Sequence, residues 1–284
     1  MITGGGSGHE PAFVGYLGDG MLDSVAIGEV FASPPALAFY DAIVDADQGE
    51  GVAVLFGNYA GDNMNVKMAV QMAEDDDIEV KYVVANDDVA SAPKAVKEQR
   101  HGIAGGFFMW KVGGARAAKG GSLDDVIASA QNVVNRTKSI CVGLEPCVIP
   151  ALGHSNFKIE DGTMEFGVGH HGEAGTKVEK LKSASEMAQE MAETILNDFD
   201  FEEGKEVAVM LSGLGATPVM ELYVLYDEVE KVLAKAGHKV WKTYIGNYVT
   251  SLDMNGASLT IVDLDDEIKE LLSEPAVPIG MKNY

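Results

Sequence analysis

The chain has 284 residues, a formal net charge of −23 and an apolar fraction of 46%, enough for one large domain or two ordinary ones with a buried core. Its acidity argues against a nucleic-acid partner, which needs clustered Lys and Arg, and against docking on an anionic membrane. Because no apolar run reaches the length of a membrane span and no signal peptide precedes the first motif, we expect a cytoplasmic protein.

The first motif is a glycine-rich segment, Gly4–Pro11, with the sequence GGGSGHEP. Glycines let backbone N–H groups close on a small polar ligand, and the histidine after them can act as acid, base or nucleophile near neutral pH. We therefore interpret this segment as a ligand-binding loop rather than a flexible tail. Only three residues precede it, too few for the strand expected to deliver the loop, so either the start is truncated or another element fills that position.

Strand and helix patterns alternate after this motif. The continuous apolar run Val52–Phe56 predicts a buried strand, Asn63–Glu74 has apolar residues at helical spacing, and Glu79–Ala85 predicts the next strand. This alternation predicts a largely parallel sheet with helices on both faces, where ligands bind beyond the carboxyl ends of the strands. The segment Gly57–Asp62, GNYAGD, follows a strand and occupies that position.

The pattern changes near residue 135, after a helix predicted from Ser122, as its N-cap, to Val134. Beyond it we predict strands and helices in a different arrangement: strands at Ile140–Val142, Cys147–Ile149, Met164–Val168 and Val207–Leu211, and helices at Ala184–Asp198 and Val219–Ala236. We therefore expect an α/β fold of two domains. Residues 1–135 form a largely parallel sheet flanked by helices, and residues 136–284 form an α/β domain of the α+β kind. The two cysteines, Cys141 and Cys147, are expected to be reduced thiols.

Three further glycine-rich segments occur in the second half: Phe166–Gly175 (FGVGHHGEAG), Ser212–Pro218 (SGLGATP) and Gly246–Leu252 (GNYVTSL). Together with GGGSGHEP and GNYAGD, in this order and at compatible spacing, they resemble the K subunit of dihydroxyacetone kinases. The resemblance covers nearly the whole chain. GGGSGHEP is its most specific motif, whereas each of the other segments would be a weak signal singly.

The resemblance implies a catalytic role for three residues. His171 attacks the substrate ketone through a ring nitrogen and forms a covalent hemiaminal, chemistry that suits a neutral imidazole. His9 hydrogen-bonds the substrate and moves a proton, and Asp62 is the general base for the substrate hydroxyl. Backbone contacts to the substrate oxygens are expected from the residues just before His9: Gly6, Ser7 and Gly8.

Structural interpretations of these residues stay open at this point. Asp62 could cap the helix that begins beside it, alone or in addition to acting as a base. His171 could belong to a hydrogen-bonded surface pair with His170. A metal site of His170, His171 and Glu173 is weaker, because adjacent strand residues point in opposite directions.

Three positions depart from the resembled family's pattern. Gly57 stands where the family usually has a lysine that holds a substrate hydroxyl, which suggests weaker binding, a different substrate or a role without turnover. Ala174 replaces a proline and would loosen the loop that carries His171. Ser212 replaces a common asparagine.

No G-x-x-x-x-G-K-[ST] motif occurs, so the sequence offers no visible nucleotide site. The resemblance implies that a separate L component holds ADP or ATP with Mg, that a phosphotransferase-system protein recharges the ADP in some bacteria, and that the K subunit is a homodimer. We expect a substrate-binding kinase subunit, inactive without its L partner. The alternative is a non-catalytic paralogue that senses the ketone and binds a transcriptional regulator. Retention of His9, Asp62 and His171 favours the kinase, whereas Gly57 and the short start favour the alternative.

Overall fold

A computed structural model describes residues 1–155, 157–200 and 204–280. The chain divides into two compact units. The first contains residues 1–86, 105–135 and 265–280, and the second contains residues 87–104 and 136–264. The chain passes from the first unit to the second after residue 135, where the sequence predicted the division. Two segments depart from a single division of the chain: residues 87–104 belong to the second unit, and residues 265–280 belong to the first.

Backbone pairing and helix packing explain the two exchanged segments. In the second unit the Ser139 N–H donates to the Asp87 carbonyl at 2.8 Å, and the Val89 N–H donates to the Ser139 carbonyl at 3.0 Å. In the first unit the buried Lys111 ammonium donates to the Leu271 carbonyl at 3.1 Å. These long-range contacts carry no local sequence signal.

The first unit is built on a parallel four-stranded sheet with the order β3-β1-β4-β5. Its strands are β1 (Ile2–Ser7), β3 (Ser24–Val30), β4 (Val52–Gly57) and β5 (Val80–Ala85), with a separate antiparallel pair, β2 (Gly18–Asp19) and β12 (Val277–Pro278). Its helices are α1 (Ala36–Ala46), α2 (Ala60–Asp75), α3 (Gly106–Ala118), α4 (Leu123–Asn135) and α7 (Asp266–Ser273). The predicted parallel sheet flanked by helices is confirmed.

The two faces of this sheet are covered by different helices. Val54 and Phe56 of β4 pack in one buried cluster with Phe39 of α1 and Val66 of α2. Leu55, which alternates with them on the opposite face, accepts a hydrogen bond at its carbonyl from Trp110 of α3 at 3.1 Å. Burial on both faces is why the apolar run in β4 is continuous.

The second unit contains a six-stranded mixed sheet with the order β10-β9-β11-β6-β7-β8, in which only β9 and β10 pair in parallel. Its strands are β6 (Thr137–Glu145), β7 (Thr163–Phe166), β8 (Lys177–Lys180), β9 (Glu206–Gly213), β10 (Lys239–Gly246) and β11 (Asn255–Asp263). Helices α5 (Ala184–Asp198) and α6 (Val219–Lys235) pack on the sheet through buried apolar side chains. The expected α+β character of the second half is confirmed.

Most predicted elements lie within a few residues of the observed ones. Helix α2 begins three residues before the predicted start at Asn63. Ser122, the predicted N-cap of α4, accepts a hydrogen bond from the Asp125 N–H at the start of that helix. The strand predicted at Cys147–Ile149 is wrong, because Ile149 forms only an isolated bridge with His154. Cys147 and Cys141 are buried free thiols.

The first glycines form a strand and not the predicted loop. Gly4, Gly5 and Gly6 lie in β1, and the loop begins at Gly8, whose φ is 108°. A Cβ on Gly4 would lie 2.3 Å from the Phe39 ring, and one on Gly5 would lie 2.1 Å from the Phe13 ring. The glycines therefore allow aromatic rings to pack closely on both faces of the strand.

No helix within the described ranges is both long enough and apolar enough to cross a membrane.

Candidate functional site

The carboxyl ends of the parallel strands in the first unit carry most of the predicted site residues. Strand β1 ends at Ser7 and leads through Gly8 to His9. The neighbouring strand β4 ends at Gly57, and helix α2 follows with Asp62 in its first turn. Both groups thus lie at the edge of the sheet where ligands bind in folds of this kind.

His9 is buried and packs against two aromatic rings. Its imidazole stacks on Phe31, with centroids 5.2 Å apart and planes at 23°, and it meets the edge of Phe13 at 6.2 Å. Both phenylalanines have positive φ, 58° for Phe31 and 38° for Phe13, a region that costs free energy for residues other than glycine. The Gly8 N–H donates to the Glu10 carboxylate at 2.9 Å.

Asp62 is held by side chains and is not the helix cap. Tyr59 occupies the N-cap position of α2, so the interpretation of Asp62 as N-cap is wrong. The Asp62 carboxylate is largely buried and accepts a hydrogen bond from the Ser33 hydroxyl at 2.8 Å. Asn65 donates to that same hydroxyl oxygen at 3.1 Å.

His171 lies in a tight turn of the second unit and pairs with Glu173. Its Nδ1 is 2.8 Å from one Glu173 carboxylate oxygen, and its backbone N–H donates to the other oxygen at 2.9 Å. The Gly169 N–H donates to the Glu173 carbonyl at 2.9 Å, and Gly172 has a φ of 81°. Glu173 therefore holds both the backbone of this turn and the imidazole ring.

The protonation state of this pair follows from its surroundings. Burial acts to raise the pKa of Glu173, but the hydrogen bond and the charge of His171 outweigh it and lower that pKa to about 2. An ionised carboxylate only accepts hydrogen bonds, so Nδ1 of His171 carries a proton and the ring's lone pair is on Nε2 when the imidazole is neutral. That nitrogen is the one with nucleophilic character.

His170 differs from its neighbour in its surroundings. As a whole residue His170 is 3% exposed, whereas the side chain of His171 is 25% exposed. The His170 carbonyl accepts a hydrogen bond from the Ser251 hydroxyl. The two adjacent histidines therefore do not form a surface pair, and only His171 has a side chain that solvent reaches to a substantial extent.

The two remaining glycine-rich segments connect to each other in the second unit. The Ser212 hydroxyl accepts the N–H groups of Tyr248 at 2.9 Å and Val249 at 3.1 Å. The Ser251 N–H donates to the Leu214 carbonyl at 2.8 Å. Since Ser251 also donates to the carbonyl of His170, these segments support the turn that carries His171, and Ser212 has a structural role in place of the family's asparagine.

Sequence reasoning missed the residues that hold the predicted ones. Glu173 has a signal, since it lies two residues after His171 in the same motif, but the pattern suggested it only as a metal ligand. Phe31 and Ser33 have no signal in the sequence, because they follow β3 and lie outside every glycine-rich segment. Only the packing of that segment against β1 and α2 reveals them. Of the predicted site residues, Gly6, Ser7, Gly8, His9 and Asp62 lie in the first unit and His171 in the second.

The fold and these residues define an α/β protein whose candidate histidines and carboxylates lie in or beside glycine-rich segments. Residues 1–279 match the Dak1 domain, so the chain belongs to the family of dihydroxyacetone kinase K subunits. It is 42% identical over 267 residues, covering 94% of this chain and 81% of the other, to the dihydroxyacetone-binding subunit DhaK of PTS-dependent dihydroxyacetone kinase 1 from Listeria innocua.

Two solved structures have the same fold over 98% of this chain. The dihydroxyacetone kinase operon co-activator DhaQ superposes with a TM-score of 0.93 at 32% identity, and 86% of its chain is covered. The dihydroxyacetone kinase of C. freundii, in complex with AMP-PNP and Mg²⁺, superposes with a TM-score of 0.87 at 31% identity. This chain spans 52% of that longer kinase.

Proposed function

We propose that this chain is the substrate-binding subunit of a dihydroxyacetone kinase, or of a kinase for a related small ketose. The observation that carries the proposal is the pairing of His171 Nδ1 with the ionised Glu173 carboxylate at 2.8 Å. This pairing orients the ring and puts the lone pair on Nε2, as covalent capture of a ketone requires. The similarity to the Listeria dihydroxyacetone-binding subunit supports the same function.

In the proposed capture step, Nε2 of His171 adds to the carbonyl carbon. The π electrons of the C=O bond move to the oxygen, which takes a proton delivered by His9. The proton on Nδ1 stays in the hydrogen bond to the ionised Glu173 carboxylate, which balances the positive charge that develops on the ring. The product is a hemiaminal whose ring forms an ion pair with that carboxylate, and its mass is that of the protein plus one intact ketone. Gly6, Ser7 and Gly8 contact the substrate oxygens through their backbone.

In the proposed transfer step, Asp62 accepts the proton of the substrate's terminal hydroxyl as the phosphoryl group arrives. The donor is ATP with Mg, which a separate L component either binds directly or holds as ADP that a phosphotransferase-system protein recharges. This chain acts as a homodimer. The longer C. freundii kinase was solved with AMP-PNP and Mg²⁺ and is about twice the length of this chain, which supports a division of acceptor and donor between different parts of a kinase.

A second function is favoured by Gly57, which replaces the family lysine at the end of β4, and by the similarity to the DhaQ co-activator. In this alternative the chain captures the ketone on His171 without phosphorylating it, and the occupied form binds a transcriptional regulator. Both functions require the covalent adduct, whereas only the kinase requires Asp62.

Intact-mass measurement after incubation with dihydroxyacetone tests the shared step. We expect the wild type and His170→Ala to gain the mass of one ketone without loss of water, and His171→Ala to gain nothing. Tryptic mapping should place the label on His171. A label on His170, or a folded wild-type protein without any label, would contradict the assignment. Turnover with a supplied L component then separates the kinase from the co-activator.

A further inference from the structure

The loop that follows β3, residues 31–34, contacts both candidate catalytic residues of the first unit. Phe31 stacks on His9 and Ser33 donates to Asp62. We propose that this loop, named here the β3–α1 loop, positions the two groups separately: Phe31 sets the plane of the His9 ring, and Ser33, oriented by Asn65, sets the Asp62 carboxylate. The proposal rests on the function proposed above.

The β3–α1 loop is fixed closely against the sheet. The Phe31 N–H donates to the Ser7 carbonyl at 3.0 Å. A Cβ on Gly28 would lie 2.1 Å from the Ala32 carbonyl oxygen, and one on Gly6 would lie 2.7 Å from the Ala32 nitrogen. Glycines in β1 and β3 therefore make room for the loop, and a loop seated on backbone atoms can hold its side chains in a defined place.

Phe31 is held in the left-handed region, with a φ of 58°, and in this conformation its ring lies nearly parallel to the imidazole of His9. Phe13 contacts the same imidazole with its edge, at an interplanar angle of 84°. Contacts with two rings restrict rotation of the His9 side chain, which keeps its nitrogens directed for proton transfer.

Ser33 connects to α2 through two hydrogen bonds with different directions. Asn65 donates to the Ser33 oxygen, and the Ser33 hydroxyl donates to Oδ1 of Asp62. Asn65 lies three residues after Asp62, so both side chains lie on the same side of the helix.

Single substitutions in this loop should separate the two chemical steps. Ser33→Ala should leave the rate of ketone capture, followed by timed intact-mass measurements, within about twofold of the wild type, and should lower kcat with the L component by about 10- to 100-fold. Phe31→Leu should instead slow capture by about 10-fold, because His9 loses its flat partner. Ser33→Thr and Phe31→Tyr keep the hydroxyl and the ring and should restore the respective step. Thermal unfolding midpoints should stay close to that of the wild type.

If Ser33→Ala and Phe31→Leu slow capture and transfer by the same factor, or if the conservative variants fail to restore activity, the loop has only a structural role and the proposal is wrong. A second measurement does not depend on turnover. Carboxyl ¹³C NMR follows the titration of Asp62, whose resonance is identified by its absence in Asp62→Asn. Ser33→Ala should move that titration to higher pH, because the carboxylate loses a donor. An unchanged titration would overturn the proposal, whereas an inactive wild type with the expected change in titration would overturn only the kinase function.

Discussion

The role of each carboxylate in this protein depends on the groups that surround it. Glu173 is buried, but His171 keeps it ionised, with a pKa of about 2. Asp88 is also buried, and there burial outweighs the hydrogen bonds to the carboxylate and raises its pKa to about 7. Asp62 accepts a hydrogen bond from the Ser33 hydroxyl and lies in the first turn of α2. Carboxylates therefore serve here as a ring-orienting anion, a proton-binding core group and a candidate base.

Asp62→Asn should keep ketone capture and lose most of the phosphoryl transfer, because the amide roughly preserves the shape but accepts no proton. General-base catalysis is worth about 10²- to 10⁴-fold, which is the expected fall in kcat with the L component. Steady-state kinetics and intact mass measure the two steps. Asp75→Asn, at the exposed far end of α2, is the matched control. Full activity of Asp62→Asn in a working complex would exclude Asp62 as the base.

Asp88→Asn should change how the stability of the protein depends on pH. Burial raises the pKa of Asp88, and the charges of Asp87 and Glu173 add to this effect, so that pKa moves from 3.8 to about 7. The folded state then binds more protons than the unfolded state between about pH 4 and 7, so wild-type stability falls as the pH rises through that range.

Asn cannot ionise, so the variant lacks this fall and becomes the more stable protein at pH 8. Because each tenfold change in proton affinity is worth about 1.4 kcal/mol, the difference in the free energy of unfolding reaches at most about 4 kcal/mol. Chemical denaturation at pH 5 and pH 8 measures it, with Asp161→Asn on the exposed surface as the control. Parallel stability curves for Asp88→Asn and the wild type would show that the pKa of Asp88 is not raised in the folded protein.

Helix α5 has a complete local start signal. The Ser183 hydroxyl accepts from the Glu186 N–H, and the Glu186 carboxylate accepts from the Ser183 N–H, forming a capping box. Helix α2 has no side-chain cap at Tyr59, and its first turn carries Asp62. Helix α2, which carries a candidate site residue, thus lacks the start signal that α5 has. This difference explains why the start of α5 was predicted correctly and the start of α2 was predicted three residues too late.

Ser183→Ala should destabilise the second unit by about 0.5–2 kcal/mol, because it removes the acceptor for an N–H group that has no partner within the helix. Chemical denaturation followed by circular dichroism measures the change. Ser183→Thr, which keeps the capping hydroxyl, is the control and should change stability much less. Equal effects of the two substitutions would mean that the capping hydroxyl does not determine stability here.

For the molecule as a whole, the sequence contains the acceptor chemistry of a kinase without a recognisable nucleotide motif. We therefore expect the purified chain with ATP, Mg²⁺ and dihydroxyacetone to form no phosphorylated product until an L component is added. Coupled enzymatic detection of the product checks this, with Asp62→Asn plus the L component as the negative control. Product formed by the wild-type chain alone would reveal an ATP site that the sequence does not indicate.

Local patterns in the sequence were enough to predict most of the secondary structure of both halves, the parallel sheet and the family, because strands, amphipathic helices and glycine-rich turns are periodic or compositionally distinct. Tertiary packing was needed to find that Gly4–Gly6 form a strand, that residues 87–104 belong with β6, and that Phe31 and Ser33 contact His9 and Asp62. These contacts join residues more than 20 positions apart. Each depends on how closely two backbones approach, which no local pattern encodes.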